Sequence, residues 1–575
     1  MASRKPLVLG DVTEFEQLQD TDGLAVSTLV LADGTVAAPA LTFAADTDTG
    51  IYRNAAGQVA FASEGVVKFY VGPNYISPTI PISSIAGSLA APGICFAGDP
   101  DTGFYSPAAD TLGFVAGGVE VFRATSTLVT FNVATNISGG SDDSVITSAV
   151  TYYLAPGGSD TTGDGTEAAP WFTITKALSA INNKVIGETG SVTIMLKDGW
   201  YGYTSQVFVN HTSKRRITIR GQNTYDKTVS SVISSARWAD GYGYDAVIQL
   251  NDVANIVVND FVVMGTAASL TGTYARLISG CHRVSAVDTV NKRITVKVYC
   301  RKNAYPAAGA LTGTVTVIKT MVQFSSCNGF VATDAQTVTL TKMVLVGIGG
   351  SHTGVQTNNA NASFALVAPF GVSSAWWCGV NIMGGGTAIM NNTTISGPYV
   401  GLYLAQGSSV SAQGCVINGC GSDNIQACNN SSIDFYGGIS CGAGSYGANF
   451  WNGVMFTANS AFFVWNVLTG CHPGWASMAE IQYTLFQYNG DGGGWRFASF
   501  ANMYGCTIRD ITNYGLKAES TSDAWADTCT NISNGLGFYA VNNSLISRAS
   551  ANVSGNTTPY SPAVGVLGNS ESLIV

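Results

Sequence analysis

Charge is what this sequence has least of. Of its 575 residues, 36 are acidic and 27 basic, 11% together, against roughly 25% in an average soluble domain. The hydrophobic share is nonetheless 46%, which excludes intrinsic disorder, because a disordered chain pairs low hydrophobicity with high charge. At a net charge of −9 a nucleic-acid partner is excluded too, since displacing counterions from phosphates needs a Lys/Arg-rich face. No apolar run approaches the roughly 18 residues that span a bilayer; the densest, 461–468, is eight residues long and contains Asn466. The opening Met1 to Leu9 lacks the apolar core of a signal peptide, so synthesis in a cytoplasm is expected. Twelve scattered cysteines include no C-x-x-C pair; they read as reduced, mostly buried small side chains rather than a zinc ribbon or a disulfide framework. His211, His282, His352 and His472 have no ligand spacing and read as structural, so no metal and no cofactor is expected.

What the sequence has instead is repetition. The stretch from Val36 to Tyr52 recurs from Leu89 to Tyr105 at a constant offset of 53, which carries Pro39 onto Pro92, Phe43 onto Phe96, Asp46 onto Asp99, Gly50 onto Gly103 and Phe69 onto Phe122. Each copy reads as a short strand, an Asp-x-Asp-Thr-Gly turn and two alternating strands. The aspartate pairs Asp46/Asp48 and Asp99/Asp101 suit Asx-turn hydrogen bonding better than a hard cation, which wants more ligands than two. Modules of about 50 residues bury too little surface to stand comfortably alone, so association with other copies is expected.

This repeat, an Ala-Ala-Pro block followed by Phe-Ala and Asp-Thr-Gly-Ile/Phe-Tyr, resembles the modules near the attachment end of tailed-bacteriophage tail fibres and tailspikes. Residues 1–30, with Thr13 to Gln19 at their centre, resemble the segment by which such fibres join a baseplate or tail adaptor. Residues 31–84 and 85–131 are then the two fibre modules, and 132–150, rich in Ser, Gly, Asn and Asp, a linker.

A second fold is expected over 151–575. Tyr152 to Leu178, with Gly163-Asp-Gly and Pro170-Trp-Phe, resembles the opening motif of right-handed parallel β-helices of the pectate-lyase-like superfamily. Ile174, Ala177, Leu178 and Ile181 fall at i, i+3, i+4 and i+7, a short amphipathic helix that would cover the open first rung of a solenoid. Strands are read at Ile217 to Arg220, Val247 to Leu250, Ile256 to Val258 and Phe261 to Met264. Downstream, Gly401, Asn424 and Gly447 open similar tetrapeptides at steps of 23, Gly515 and Gly537 are 22 apart, and Cys506, Cys529 and Ala551 follow at 23 and 22. Such a step suits a three-strand rung, with each side chain stacked about 4.8 Å from its equivalent. Stacked like charges would repel at that spacing, which accounts for the scarcity of charge and for residues 343–422 holding no Asp, Glu, Lys or Arg. Residues 552–575, with Tyr560-Ser-Pro-Ala and Gly568-Asn, resemble the closing segment of phage β-helices.

One stretch differs. Residues 266–320 alternate like β-hairpins and hold Arg276, Arg283, Lys292, Arg293, Lys297, Arg301, Lys302 and Lys319 against Asp288 alone. They read as an insertion projecting from the solenoid, whose basic face either meets an acidic polysaccharide or lipopolysaccharide phosphate or is an ordinary solvated sheet.

For chemistry, Gly438-Ile-Ser-Cys-Gly and Gly442-Ala-Gly-Ser-Tyr-Gly match loose nucleophile and dinucleotide patterns, but without the strand–turn–helix setting each needs; both read as rung turns. Glycan cleavage needs acids, and the carboxylates available in the later rungs are Asp423, Asp434, Glu480, Asp491, Asp510, Glu519, Asp523 and Asp527. Asp491, Arg509 and Asp510 are the candidate catalytic set, the two aspartates standing a few positions out of register on neighbouring rungs; the alternative is a turn aspartate and a surface ion pair. Trp376, Trp377, Tyr399, Tyr403, Tyr436, Trp451, Trp475 and Trp495 are the candidate sugar-stacking residues, about half of them expected in the core or in contacts between copies. Taken together, the expectation is an all-β, elongated homotrimer on the virion, its parallel β-helix recognising host surface polysaccharide or lipopolysaccharide without membrane insertion. Cleavage of that glycan by a depolymerase is the competing function.

Overall fold

The computed structural model describes residues 28–132, 145–211, 216–265, 270–272, 275–302, 308–332, 337–349, 352–357, 362–374, 376–563 and 572–575. Most of the expected attachment segment and of the linker lies outside the described residues, as does Gly568. The chain divides into two units, 1–135 and 136–575. The described secondary structure is strand apart from two helices, Ile174–Ile181 and Ala275–Ile278. No helix among the described residues is long and apolar enough to cross a membrane.

In the first unit the sequence repeat is a structural repeat. Two five-stranded antiparallel meanders run from Leu41–Phe43 to Ile76–Pro78 and from Ile94–Phe96 to Val129–Phe131. Leu41 and Ile94, Gln58 and Thr111, and Val66 and Val119 open equivalent strands. Each meander has only one sheet to pack with, so Phe43 and Phe96 stay largely exposed in equivalent places.

The second unit is a parallel β-helix. Twelve strands, from Val207–Val209 to Thr558–Ser561, stack into one sheet. Two further stacks, running through Ser409–Ser411 and Val416–Asn418, complete each three-strand turn. Register confirms the period: Leu402 lies beside Ile425, Ile425 beside Ala448, and Ala448 beside Cys471, with Gly493 next. Inward residues of each strand form one continuous apolar core, each large side chain contributing about 1.5–3 kcal/mol on burial. Where the inside must be polar, neutral amides take the place: Asn466 donates to Asn489 Oδ1 at 3.1 Å, and Asn489 donates to the Phe463 carbonyl at 2.7 Å.

The helix Ile174–Ile181 buries Ile174, Ala177 and Ile181, and Thr173 caps it by accepting the Lys176 N–H at 3.1 Å. It packs on Val207–Val209, the terminal strand of the twelve-stranded sheet.

The insertion is larger than the sequence reading. Thr224–Arg237 pairs with Gly243–Leu250 on one side and with Gly309–Ile318 on the other, so the antiparallel strands between them close into a ring. It therefore begins at Thr224 rather than at 266; Val247 to Leu250 and Phe261 to Met264, read as strands of the solenoid, belong to it, and Ile256 to Val258 is turn and loop rather than strand. A short apolar run looks the same whether its neighbours are parallel or antiparallel, and only pairing distinguishes them. The ring packs its core against Val416, Ile439, Cys441 and Val464 of the third stack.

Candidate functional site

Alternate residues of the twelve-stranded sheet face outward, and the rung period aligns them. Tyr403, Gln426, Asn449 and His472 stand in one column, followed by Gly494, Lys517, Tyr539 and Ser561. The His472 ring stacks on Tyr446 with centroids 4.9 Å apart, and its Nδ1 lies 3.2 Å from Asn449 Oδ1. Its Nε2 is buried without a hydrogen-bond partner. Burial, reinforced by the positive charges of Arg496 and Lys517, lowers its pKa to about 4, so the imidazole is neutral at pH 7. Further along, Tyr514 and Tyr539 stack at 5.1 Å, with Lys517 Nζ 5.2 Å from the first ring and 5.7 Å from the second. Glu519 pairs with both Arg496 and Lys517.

At one edge of this face the end of the insertion meets the solenoid bends. Tyr299 closes the strand Arg293–Tyr299, and the Arg301 N–H donates to the Gly442 carbonyl at 2.9 Å. A cavity of about 490 Å³ opens there, lined by Tyr299, Arg301, Trp376, Trp377 and Tyr399, with Gly397 and Gly421. Gly397 is required: at φ +84 a side chain would be strained, and its Cβ would sit 2.7 Å from the Tyr299 ring. Trp377 and Tyr399 are 37% and 54% exposed, and the Trp377 ring lies 5.8 Å from that of Tyr403, so the cavity rim adjoins the outward column.

Of the candidate stacking residues, the fold thus brings Trp377, Tyr399 and Tyr403 together. Trp376 presents only part of its ring to the cavity and otherwise packs in the core, 6.1 Å from Phe324. Trp451 ends a strand of the same sheet. Trp475 is exposed at the bend leaving it, stacked on Phe497 at 4.8 Å. Tyr436 sits apart, at a bend between the other two stacks, its N–H bonded to Asp434 at 3.2 Å. Trp495 is a core residue rather than a surface one: Gly493 has no side chain, and the indole fills that space, 2.0 Å from where a Cβ would be.

The candidate acids have different partners. Asp491 opens the strand Asp491–Arg496 of the twelve-stranded sheet, where it accepts the Tyr514 N–H at 3.4 Å. Gln487 lies beside Arg509, so Asp510 stands over Tyr488, three residues before Asp491 and across the bend. Asp510 accepts the Gln487 amide at 2.9 Å and pairs with Arg509 at 3.9 Å, the surface arrangement weighed as the alternative. The sequence points to Arg301 only as one of eight basic residues of the insertion and to His472 only as a structural histidine; Tyr446, Arg496, Lys517, Tyr539 and Tyr299 carry no such signal. His472, Lys517 and Tyr539 were reachable by carrying the 22–23 step onto Asn449, which leads to His472, Gly494, Lys517 and Tyr539; Tyr446 and Arg496 lie on other columns. Spacing does not set Arg301 apart from the other basic residues of the insertion. No group of three or more His, Cys, Asp or Glu side chains suited to a metal ion occurs among the described residues.

No protein-family model and no curated protein matches the chain. Among solved structures it is similar to the tailspike protein gp49 of Pseudomonas phage LKA1, at 11% identity and a TM-score of 0.27, covering 66% of this chain and 74% of that one. It is similar to the A-module of the Azotobacter vinelandii mannuronan C-5 epimerase AlgE4, at 11% identity and a TM-score of 0.30, covering 44% and 91%. The catalytic domain of a GH87 alpha-1,3-glucanase in complex with nigerose is similar at 7% identity and a TM-score of 0.23, covering 61% and 98%.

Proposed function

We propose that this protein is a phage tail-fibre or tailspike-like protein that binds a host surface polysaccharide along the outward face of its twelve-stranded sheet. The observation that carries the reading is the groove, where Trp377, Tyr399 and Tyr403 adjoin a column of amide, imidazole and ammonium groups repeating once per rung. Aromatic faces cover the apolar side of a sugar ring while neutral donors and acceptors read its hydroxyls. A regular outward column also suits a polymer, which presents the same groups again and again. The sequence resemblance of the N-terminal modules supports attachment to a baseplate or adaptor through the N-terminus. The exposed apolar side chains of those modules, and Met455 and Met478 on the solenoid, support a homotrimer in which neighbouring copies cover them.

Binding is tested by affinity electrophoresis of the full chain in gels containing candidate host polysaccharide. Trp377→Ala and Tyr399→Ala should weaken retardation without lowering the melting midpoint; unchanged retardation by both would remove the groove from the reading.

The second reading, a depolymerase, is favoured by the ionisable groups that stand together on the outward face, where Glu519 pairs with Arg496 and Lys517 close to the His472 ring stacked on Tyr446. A carboxylate flanked by two cations and an imidazole is the kind of cluster that glycan cleavage draws on. Reducing ends and the ultraviolet absorbance of unsaturated products, followed with His472→Gln, Asp491→Asn and Asp510→Asn, decide it. Saturable binding with no product from wild type leaves a receptor-binding fibre.

A further inference from the structure

The chemistry of the bound sugar can be taken a step further, on the reading of the groove as a glycan-binding face. Six of the eight basic residues between Arg276 and Lys319 are engaged by the fold itself. Lys297 pairs with Asp245 at 3.6 Å and Lys319 with Asp260 at 2.7 Å. Arg283 donates to Asn259 and Arg293 to Gln249, each at 3.0 Å. Arg276 lies over the Phe462 ring at 3.9 Å, and Lys302 donates to the carbonyls of Asn466 and Tyr488.

Arg301 is different. Its guanidinium lies over the Tyr242 ring at 4.1 Å, and its Nε is buried with no hydrogen-bond partner. Among the described residues no carboxylate pairs with it, although it lines the 490 Å³ cavity beside Trp377 and Tyr399. Its Nη2 stands at the cavity wall, 3.6 Å from where a Cβ on Gly421 would be, so the terminal nitrogens are the donors an acceptor entering the cavity would meet. The planar fork of an arginine matches a carboxylate in a bidentate way that a lysine cannot reproduce. The aromatic walls suit a sugar ring. Stacking on Tyr242 holds the fork in place before any ligand arrives, so little side-chain entropy is lost when one binds.

We propose that this cavity takes a carboxylate-bearing sugar unit of the polysaccharide, with Arg301 receiving the carboxylate while Trp377 and Tyr399 pack against the ring. The groove would then select acidic glycans from neutral ones of the same shape.

The test is affinity electrophoresis of the full chain on alginate, hyaluronate and polygalacturonate, each beside its carboxyl-reduced form, with dextran sulfate as a charge control. Wild type should bind at least one polyuronate about tenfold or more tightly than its reduced form, the scale of one charge-assisted hydrogen-bonded contact. Arg301→Gln should lose that preference while keeping the wild-type melting midpoint, and Arg301→Lys should recover only part of it. Equal affinity for native and reduced polymers overturns the inference, as does undiminished preference in a folded Arg301→Gln protein. Retardation by dextran sulfate as strong as by the polyuronates overturns the carboxylate assignment in favour of charge alone. All three outcomes leave glycan binding standing. Failure of wild type to bind any of these polymers, native or reduced, while it binds a host polysaccharide free of carboxylates, overturns the inference alone; failure on host polysaccharide as well overturns both readings. Should Arg301→Gln not fold, the comparison of native with reduced polymer on wild type decides.

Discussion

Asp423 and Asp491 occupy the same position of the coil three rungs apart, and each accepts the backbone N–H of the tyrosine one rung further on, Tyr446 at 3.2 Å and Tyr514 at 3.4 Å. The column between them runs through Tyr446 and Thr469. Their shared geometry makes these carboxylates holders of the bend that leads into the twelve-stranded sheet. Asp423 also accepts the Asn449 amide at 3.0 Å, and Asn449 in turn contacts His472, so the bend and the outward column are physically joined.

Asp423 is 2% exposed, and burial raises its pKa despite these hydrogen bonds. A carboxyl whose folded pKa lies above its unfolded value binds a proton more readily when folded. Its contribution is therefore fullest below the unfolded pKa, near 3.9, and is lost as pH rises through the folded pKa. Denaturant midpoints of wild type and Asp423→Asn, compared from pH 3 to pH 7, should show wild type losing ground to the variant as pH rises. A constant difference would refute the ionisation argument. Asp423→Ala, which strands the Asn449 amide and the Tyr446 N–H, should cost about 1–3 kcal/mol at pH 3 and less as pH rises.

His472 titrates in the opposite sense. Its folded pKa of about 4 lies below the ordinary value of 6.5, so its neutral form contributes stability that is present above 6.5 and lost as pH falls towards 4. The ring proton resonances of His472 should titrate near pH 4, and Arg496→Gln, by removing a positive charge, should move that midpoint up. A midpoint near 6.5 in wild type would mean that the ring is solvated and the column open.

Gly447, Gly470, Gly492, Gly515 and Gly537 recur once per rung at the start of the strands of the twelve-stranded sheet. A Cβ on Gly492 would sit 2.2 Å from the Gly515 carbonyl oxygen and 2.9 Å from Ile508 Cγ2. Gly492→Ala forces backbone of adjacent rungs apart and should cost about 1–3 kcal/mol, the scale of an overpacked interior. Chemical denaturation of the variant measures it.

Two tryptophans of opposite burial separate stability from binding. Trp495→Ala empties the core and should cost about 3–5 kcal/mol, lowering the melting midpoint. Trp377→Ala removes an exposed ring and should leave the midpoint within a degree or two of wild type while weakening retention on polysaccharide. The reverse pattern would exchange their assignments.

The solenoid was legible because stacking is a local rule applied repeatedly. Neighbouring rungs place equivalent residues beside each other, so Leu402, Ile425 and Ala448 announce the step through nothing more than spacing. The same rule excluded stacked charge and left residues 343–422 neutral. The capping helix and the paired modules were equally open to reading, since each depends on residues close together in the chain.

What spacing does not carry is which way a side chain turns and what folds over it. Trp495 and Trp377 look alike along the chain; strand alternation turns Trp495 to the inward side with Gly493, whose missing side chain leaves room for the indole. Strands 243–250 and 261–264 carry the same apolar pattern as rungs, yet they close an antiparallel ring because Thr224–Arg237 finds Gly309–Ile318 across more than 70 residues. Arg301 reaches the cavity only through that closure. Composition and period by themselves determined a charge-poor stacked coil; the groove was decided by the tertiary structure, because a long-range pairing sets one element against the face of another.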